Sequence, residues 1–289
     1  LAETNSYELV ISDKNDLSGL PNELIETAAS DAKAKGKAGK WVFTLSNSSV
    51  MPFLQYSSNR KLRKEIWNAY QMRANNGNDK DNKSLAIKIA NLRGEKARLL
   101  GYATHADYVL EKSMAKNPET ANKLLNDLWI PALNMANKEA ADIQKMMQKE
   151  GINEPVQPYD WRYYTEKIRK ERFDLDEQEM KPYFSLKKTR EGVFTVCKNL
   201  YGLQFKQLNN VPKYHEDVTV WEVTEANGSH VGILYMDFHP RTSKRGGAWM
   251  TSYRTQKMEN GKRVAPVVSI VCNFTKPTEN APALLTFDE

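Results

Sequence analysis

Apolar positions in the first two thirds of the chain recur at helical spacing. Leu62, Ile66, Ala69 and Tyr70, with Arg73, fall on one face of a segment that Asn59 is placed to cap. Leu85, Ile89, Leu92 and Leu99 repeat the pattern over 82–100, so both segments are predicted to be amphipathic helices. Asn117-Pro118-Glu119 is an N-cap with proline at the first helical position. Leu124, Leu125, Leu128, Leu133, Met135, Ile143, Met146 and Met147 carry that helix to Gly151, with a kink expected at Pro131. Shorter helices are predicted over 160–173, around Trp161, Tyr164 and Ile168, and over 191–201, around Val193, Val196, Cys197 and Leu200, with Gly202 as C-cap. For these aromatic residues core packing outweighs a cofactor site. One early exception, 41–45, reads as a strand.

Beyond Gly202 the period changes to two. Segments 218–223 and 231–236 flank Asn227-Gly228, the strongest short hairpin signal. A second pair, 248–254 and 266–274, is joined through 259–262. The expected fold is mainly α with a small antiparallel β-sheet near the C-terminus (α+β), in two regions: helical over 1–202 and β-rich over 203–289. There is no internal repeat. The last residues, Ala283-Leu284-Leu285-Thr286-Phe287-Asp288-Glu289, offer Thr286 and Asp288 as N-caps, and Asp288 and Glu289 suit the positive end of a helix dipole. A helix is therefore expected to open here, and with Leu1 at the start and no leader behind it the chain reads as a fragment.

Composition narrows the picture only a little. The 289 residues are 40% apolar, enough for a sizeable core, and no stretch approaches the roughly 18 apolar residues of a membrane helix, so a soluble globular protein is expected. The net charge of +6 is the remainder of 42 Lys and Arg against 36 Asp and Glu. The runs Lys33, Lys35, Lys37, Lys40 and Arg169, Lys170, Arg172 are interleaved with small or acidic residues, a pattern of solvated surface more than of a phosphate-binding patch. Cys197 and Cys272 sit in apolar runs suited to buried reduced thiols.

Candidate chemistry is sparse. The four histidines, His105, His215, His230 and His239, have no metal-ligand spacing, and no phosphate loop, dinucleotide fingerprint, Cys-x-x-Cys or Gly-x-Ser-x-Gly is present. What stands out is 237–250, which leaves a strand, crosses a basic loop and enters another strand through Gly246, Gly247 and Ala248. Small residues at a strand's start leave its backbone open to an added extended chain. Two readings stay open: a peptide-binding edge, or a flexible solvated loop, which composition alone slightly favours.

The blocks Tyr235-Met236-Asp237-Phe238, Lys244-Arg245-Gly246-Gly247-Ala248-Trp249-Met250, Val271-Cys272-Asn273-Phe274-Thr275-Lys276-Pro277 and 282–289 resemble, in order and spacing, the peptidyl-dipeptidases of the thimet oligopeptidase family of zinc metallopeptidases. Weaker similarity runs upstream through Leu99, Gly101, Tyr102, Tyr108 and 159–164. The resemblance implies part of an elongated, channel-containing metallopeptidase fold. In that family a His-Glu-x-x-His zinc helix follows the Asp-Glu within about two turns, and a glutamate from a later helix completes the site. No histidine here matches a ligand, so no catalytic or metal residue is assigned within this chain, and zinc is implied for the full-length parent and not for the fragment. By resemblance Gly246, Gly247, Ala248 and Trp249 bind substrate, while Cys272, Asn273 and Phe274 are structural. The implied activity is removal of C-terminal dipeptides from short unstructured peptides, with the fragment itself inactive. An endo-acting oligopeptidase and a non-catalytic peptide-binding protein are the alternatives. A monomer with no nucleic-acid or membrane partner is expected, in the cytoplasm or alternatively the periplasm.

Overall fold

A computed structural model of the chain describes residues 2–174, 177–277, 282–286 and 289. Its helices are α1 (Ala2–Ser6), α2 (Asn22–Ala34), α3 (Asn47–Tyr56), α4 (Arg60–Gln71), α5 (Lys83–Leu99), α6 (His105–Leu110), α7 (Pro118–Lys149), α8 (Pro158–Phe173), α9 (Glu177–Met180) and α10 (Leu186–Tyr201). Its strands are β1 (Leu9–Ile11), β2 (Trp41–Phe43), β3 (Gln204–Leu208), β4 (Thr219–Thr224), β5 (His230–Asp237), β6 (Trp249–Arg254), β7 (Lys257–Glu259), β8 (Lys262–Val264) and β9 (Val267–Val271). The mainly helical fold with a small sheet is the one the periodicity predicts, and the switch from helix to strand falls at Gly202, between α10 and β3. Two compact units divide the chain: one takes residues 8–58 and 174–289, the other residues 2–7 and 59–173. Among the described residues no helix is long and apolar enough to cross a membrane.

The unit formed by 2–7 and 59–173 is helical. Asn59 caps α4 by accepting a hydrogen bond from the Leu62 amide, and Asn117 caps α7 by accepting from Thr120. The helix α7 runs on through Pro131, and its C-terminal part packs on α8 around buried Ile143, Met147 and Tyr164. Between α4 and α8, the fully buried Asp160 carboxylate accepts from Arg60 Nε at 3.0 Å and Nη2 at 2.9 Å, and from Arg63 Nη2 at 3.1 Å. The expected apolar stripe of α5 is not covered: Leu85, Ile89, Leu92 and Leu99 are exposed and only Ala97 is buried. The same holds for Leu124, Leu125, Leu128, Leu133 and Met135 on α7. The pattern predicts which face is apolar, but burial needs a neighbour that these stretches lack among the described residues.

In the other unit, β1 and β2 form an antiparallel pair that packs with α2 and α3 around Val42, Phe43, Val50, Phe53 and Leu54. The strand read at 41–45 is β2; its partner β1 gave no signal of its own. The main sheet has the order β3-β4-β5-β9-β6, antiparallel except for the β5–β9 ladder, which is parallel. The predicted hairpin is present, with Asn227-Gly228 turning β4 into β5, and β6 pairs antiparallel with β9. The turn at 259–262 closes its own small ladder, β7–β8. The helix α10, capped by Ser185, starts earlier than 191 and ends at Gly202, whose φ of +73° is the left-handed C-cap conformation. Its contact with the sheet runs through Phe194, stacked on Phe205 at 4.2 Å and edge-on to Trp221 at 4.8 Å, whereas Val193, Val196 and Leu200 are exposed.

At the C-terminal end, Leu284 bridges to Ser185 and Leu285 is buried. Thr286 and Glu289 hydrogen-bond reciprocally: the Glu289 carboxylate accepts from the Thr286 amide at 2.9 Å, and Thr286 Oγ1 accepts from the Glu289 amide at 3.3 Å. This reciprocal pair has the pattern of a capping box, the role proposed from sequence for Thr286. Phe287 and Asp288 lie outside the described residues.

Candidate functional site

The segment singled out in the sequence lies where β5 ends and β6 begins, and it is built around one carboxylate. Asp237, the last residue of β5, is 1% exposed. Its Oδ1 and Oδ2 accept a bidentate pair from Arg241 Nη1 and Nη2, both at 2.8 Å. Oδ1 also accepts from Lys244 Nζ at 2.9 Å, and Oδ2 from the Tyr214 hydroxyl at 3.0 Å. Lys244 is itself buried, and its ammonium donates twice more, to the main-chain oxygens of Asp237 at 2.9 Å and His239 at 2.8 Å. Three protons thus meet three acceptors.

The electrostatics follow from this packing. Burial works to raise the Asp237 pKa, but the hydrogen bonds from Arg241, Lys244 and Tyr214 outweigh it and hold the carboxyl at about 2. Burial lowers the Lys244 pKa, against the opposing pull of Asp237. Burial and the Asp237 charge raise the Tyr214 phenol. The loop 238–248 is therefore pinned from inside by an ionic knot. Composition does not reveal that Asp237 and Lys244 are buried together, while Thr242, Ser243 and 245–248 are exposed.

From this knot the chain passes through Arg245, Gly246, Gly247 and Ala248 into β6, an edge strand of the sheet. All six residues of β6 are exposed, Trp249 at 36% and Met250 at 65%. Gly247 has φ +101°, a conformation that glycine alone adopts readily. On the inner side, β9 continues past Val271 into Cys272, Asn273 and Phe274. The amides of Cys272 and Phe274 donate to the carbonyls of Asp237 and Phe238 at 2.8 and 2.7 Å, prolonging the parallel ladder. Asn273 Nδ2 donates to the carbonyls of Arg245 at 3.0 Å and Gly247 at 2.7 Å. The four residues read as substrate-binding, Gly246, Gly247, Ala248 and Trp249, are thus contiguous and exposed at the start of a sheet edge. The sequence reading assigned no role to Asp237, Arg241 or Lys244. An acid ending an apolar strand, with Arg four and Lys seven positions on, is the signal that was available.

His230 faces Glu222, His239 Nδ1 lies 3.3 Å from the Phe274 carbonyl, and His215 Nδ1 accepts from the Asp217 amide. Among the described residues no three His, Cys, Asp or Glu side chains converge as metal ligands. The described residues by themselves therefore do not gather a zinc-ligand set.

Comparison with known proteins identifies the family. Residues 53–289 match the model of Peptidase family M3, and the chain belongs to that family. It is 36% identical to the dipeptidyl carboxypeptidase of Escherichia coli (strain K12) over 290 residues, covering 100% of this chain and 42% of that protein. It is 34% identical over 295 residues to oligopeptidase A of the same organism, covering 100% of this chain and 43% of the relative, and 30% identical over 299 residues to saccharolysin of Saccharomyces cerevisiae, covering 98% and 41%. The chain spans about two fifths of the length of the curated relatives it matches. The resemblance to the thimet oligopeptidase family, drawn from the blocks around Gly246 and Asn273, is the family that the whole chain supports.

Proposed function

We propose that this chain is the peptide-docking portion of a zinc metallopeptidase that removes C-terminal dipeptides from short unstructured peptides. The observation that carries the reading is the exposed edge of β6, entered through Gly246, Gly247 and Ala248 from an ionically pinned loop. An extended peptide adds to such an edge by main-chain hydrogen bonds, which hold many sequences in one register. An unstructured peptide offers its unpaired backbone to such an edge. In this reading the zinc ligands and the water-activating glutamate come from polypeptide outside these residues, and the 289 residues alone are inactive. The dipeptide register rests on likeness to the dipeptidyl carboxypeptidase. The nearly equal likeness to oligopeptidase A favours a second reading, internal cleavage of short peptides.

Digestion separates the readings. Peptides of about ten residues, with free and amidated C-termini, are incubated with zinc and the product of the complete gene, and the fragments are weighed by mass spectrometry. Dipeptides leaving stepwise from free C-termini are expected. Internal cuts that ignore amidation would assign the oligopeptidase activity instead, and intact peptides at adequate zinc would leave a peptide-binding protein.

A further inference from the structure

We infer that Asn273 is a positioning residue for the β6 edge: by holding the carbonyls of Arg245 and Gly247, its carboxamide fixes the bend at Gly246 and keeps that residue exposed to receive a peptide strand. The inference rests on the reading of β6 as the peptide-binding edge. Regular pairing of β6 with β9 reaches Trp249 opposite Val271, which sets Gly247 against Asn273 two residues further on. There the side chain takes over from the ladder, and one Nδ2 grips two carbonyls at 3.0 and 2.7 Å. Gly246 and Gly247 bend the chain just before β6. With the carbonyls of 245 and 247 both held by Asn273, this bend is fixed and Gly246 is left exposed.

A second observation agrees. A Cβ added at Gly246 would meet no atom within 4 Å, and its φ is not left-handed, so nothing inside the fold requires glycine there. Gly247 differs, since its φ of +101° is reason enough for glycine. An exposed position without a side chain, at a pinned bend beside the edge, is suited to close approach by another backbone. The Asn273 amide is also specific in its chemistry: aspartate has the same shape but, ionised, offers acceptors only, and two carbonyls would face a carboxylate.

The test measures binding of a fluorescein-labelled, unstructured octapeptide to the full chain by fluorescence polarisation, together with a set of the same peptide N-methylated at one backbone position at a time. In the wild type, methylation at one position is expected to weaken binding about tenfold by removing the amide that meets the edge at Gly246. Asn273→Asp is expected to weaken the unmethylated peptide about tenfold and to leave the peptide methylated at that position nearly unchanged. Gly246→Val is expected to weaken binding with an unaltered melting temperature. Equal binding by wild type and Asn273→Asp would overturn the role of Asn273 while leaving the edge reading intact. Equal weakening of methylated and unmethylated peptides would reduce Asn273 to a structural residue and overturn the inference as well. No binding of any peptide by the wild type would remove the edge reading itself.

Discussion

Replacing Asp237 by alanine is predicted to loosen the whole loop that feeds β6. The carboxylate is 1% exposed and meets two cations, Arg241 and Lys244, and the Tyr214 hydroxyl. Arg241 retains access to water, but Lys244 is 8% exposed and would keep only two carbonyls as partners. Removing one member of a buried ion pair costs about 3–5 kcal/mol, because the other charge stays desolvated. Acid offers the same perturbation without mutation. The carboxyl pKa is about 2 in the fold against 3.8 ordinarily, which corresponds to about 2–3 kcal/mol. Since the folded pKa is the depressed one, that stability is fully present above about pH 4 and is lost as pH falls toward 2. Hydrogen exchange read by mass spectrometry isolates the region, because the Cys272 and Phe274 amides donate to Asp237 and Phe238. Their protection is expected to drop in Asp237→Ala at pH 7, and to fall with acid in the wild type but far less in Asp237→Asn. Lys244→Met added to Asp237→Ala is expected to recover part of the loss. Wild type and Asp237→Asn with the same acid dependence, or Asp237→Ala with unchanged protection, would refute the knot.

Two further outcomes follow from single features. Asp160→Ala removes the shared partner of Arg60 and of Arg63, which is 1% exposed, and is expected to cost about 3 kcal/mol or more, read as faster exchange confined to residues 59–173 while 174–289 is unchanged. Gly247→Ala, forced to a φ of +101°, is expected to destabilise the loop by about 1–2 kcal/mol, and Gly246→Ala to leave the thermal midpoint unmoved; equal effects of the two would show that the backbone conformation is not what selects glycine at 247.

Much of the fold was readable from sequence because its signals are local. Asn59, Asn117, Gly202 and Asn227-Gly228 each act within a few residues of themselves, and each has the role its chemistry predicts. Features that depend on distant partners were not readable. The short strands β1 and β3 carry no strong alternation, and the parallel β5–β9 pairing joins segments separated by β6 and the β7–β8 hairpin. Periodicity on α5 and α10 found apolar stripes but not whether anything covers them; on α10 the contact goes through Phe194. At the site, the glycines and Trp249 were visible as an entry to a strand. The ionic knot behind them was not, because burial of Asp237 and Lys244 is a tertiary fact written in no single residue.

The central claim is that β6 is an edge open to an extended peptide, and the most direct test is backbone hydrogen exchange of this strand with and without saturating unstructured peptide. Slower exchange of amides within 246–252 on adding peptide, with the rest of the chain unchanged, is the predicted result. Unchanged exchange in that strand while protection grows elsewhere would contradict it.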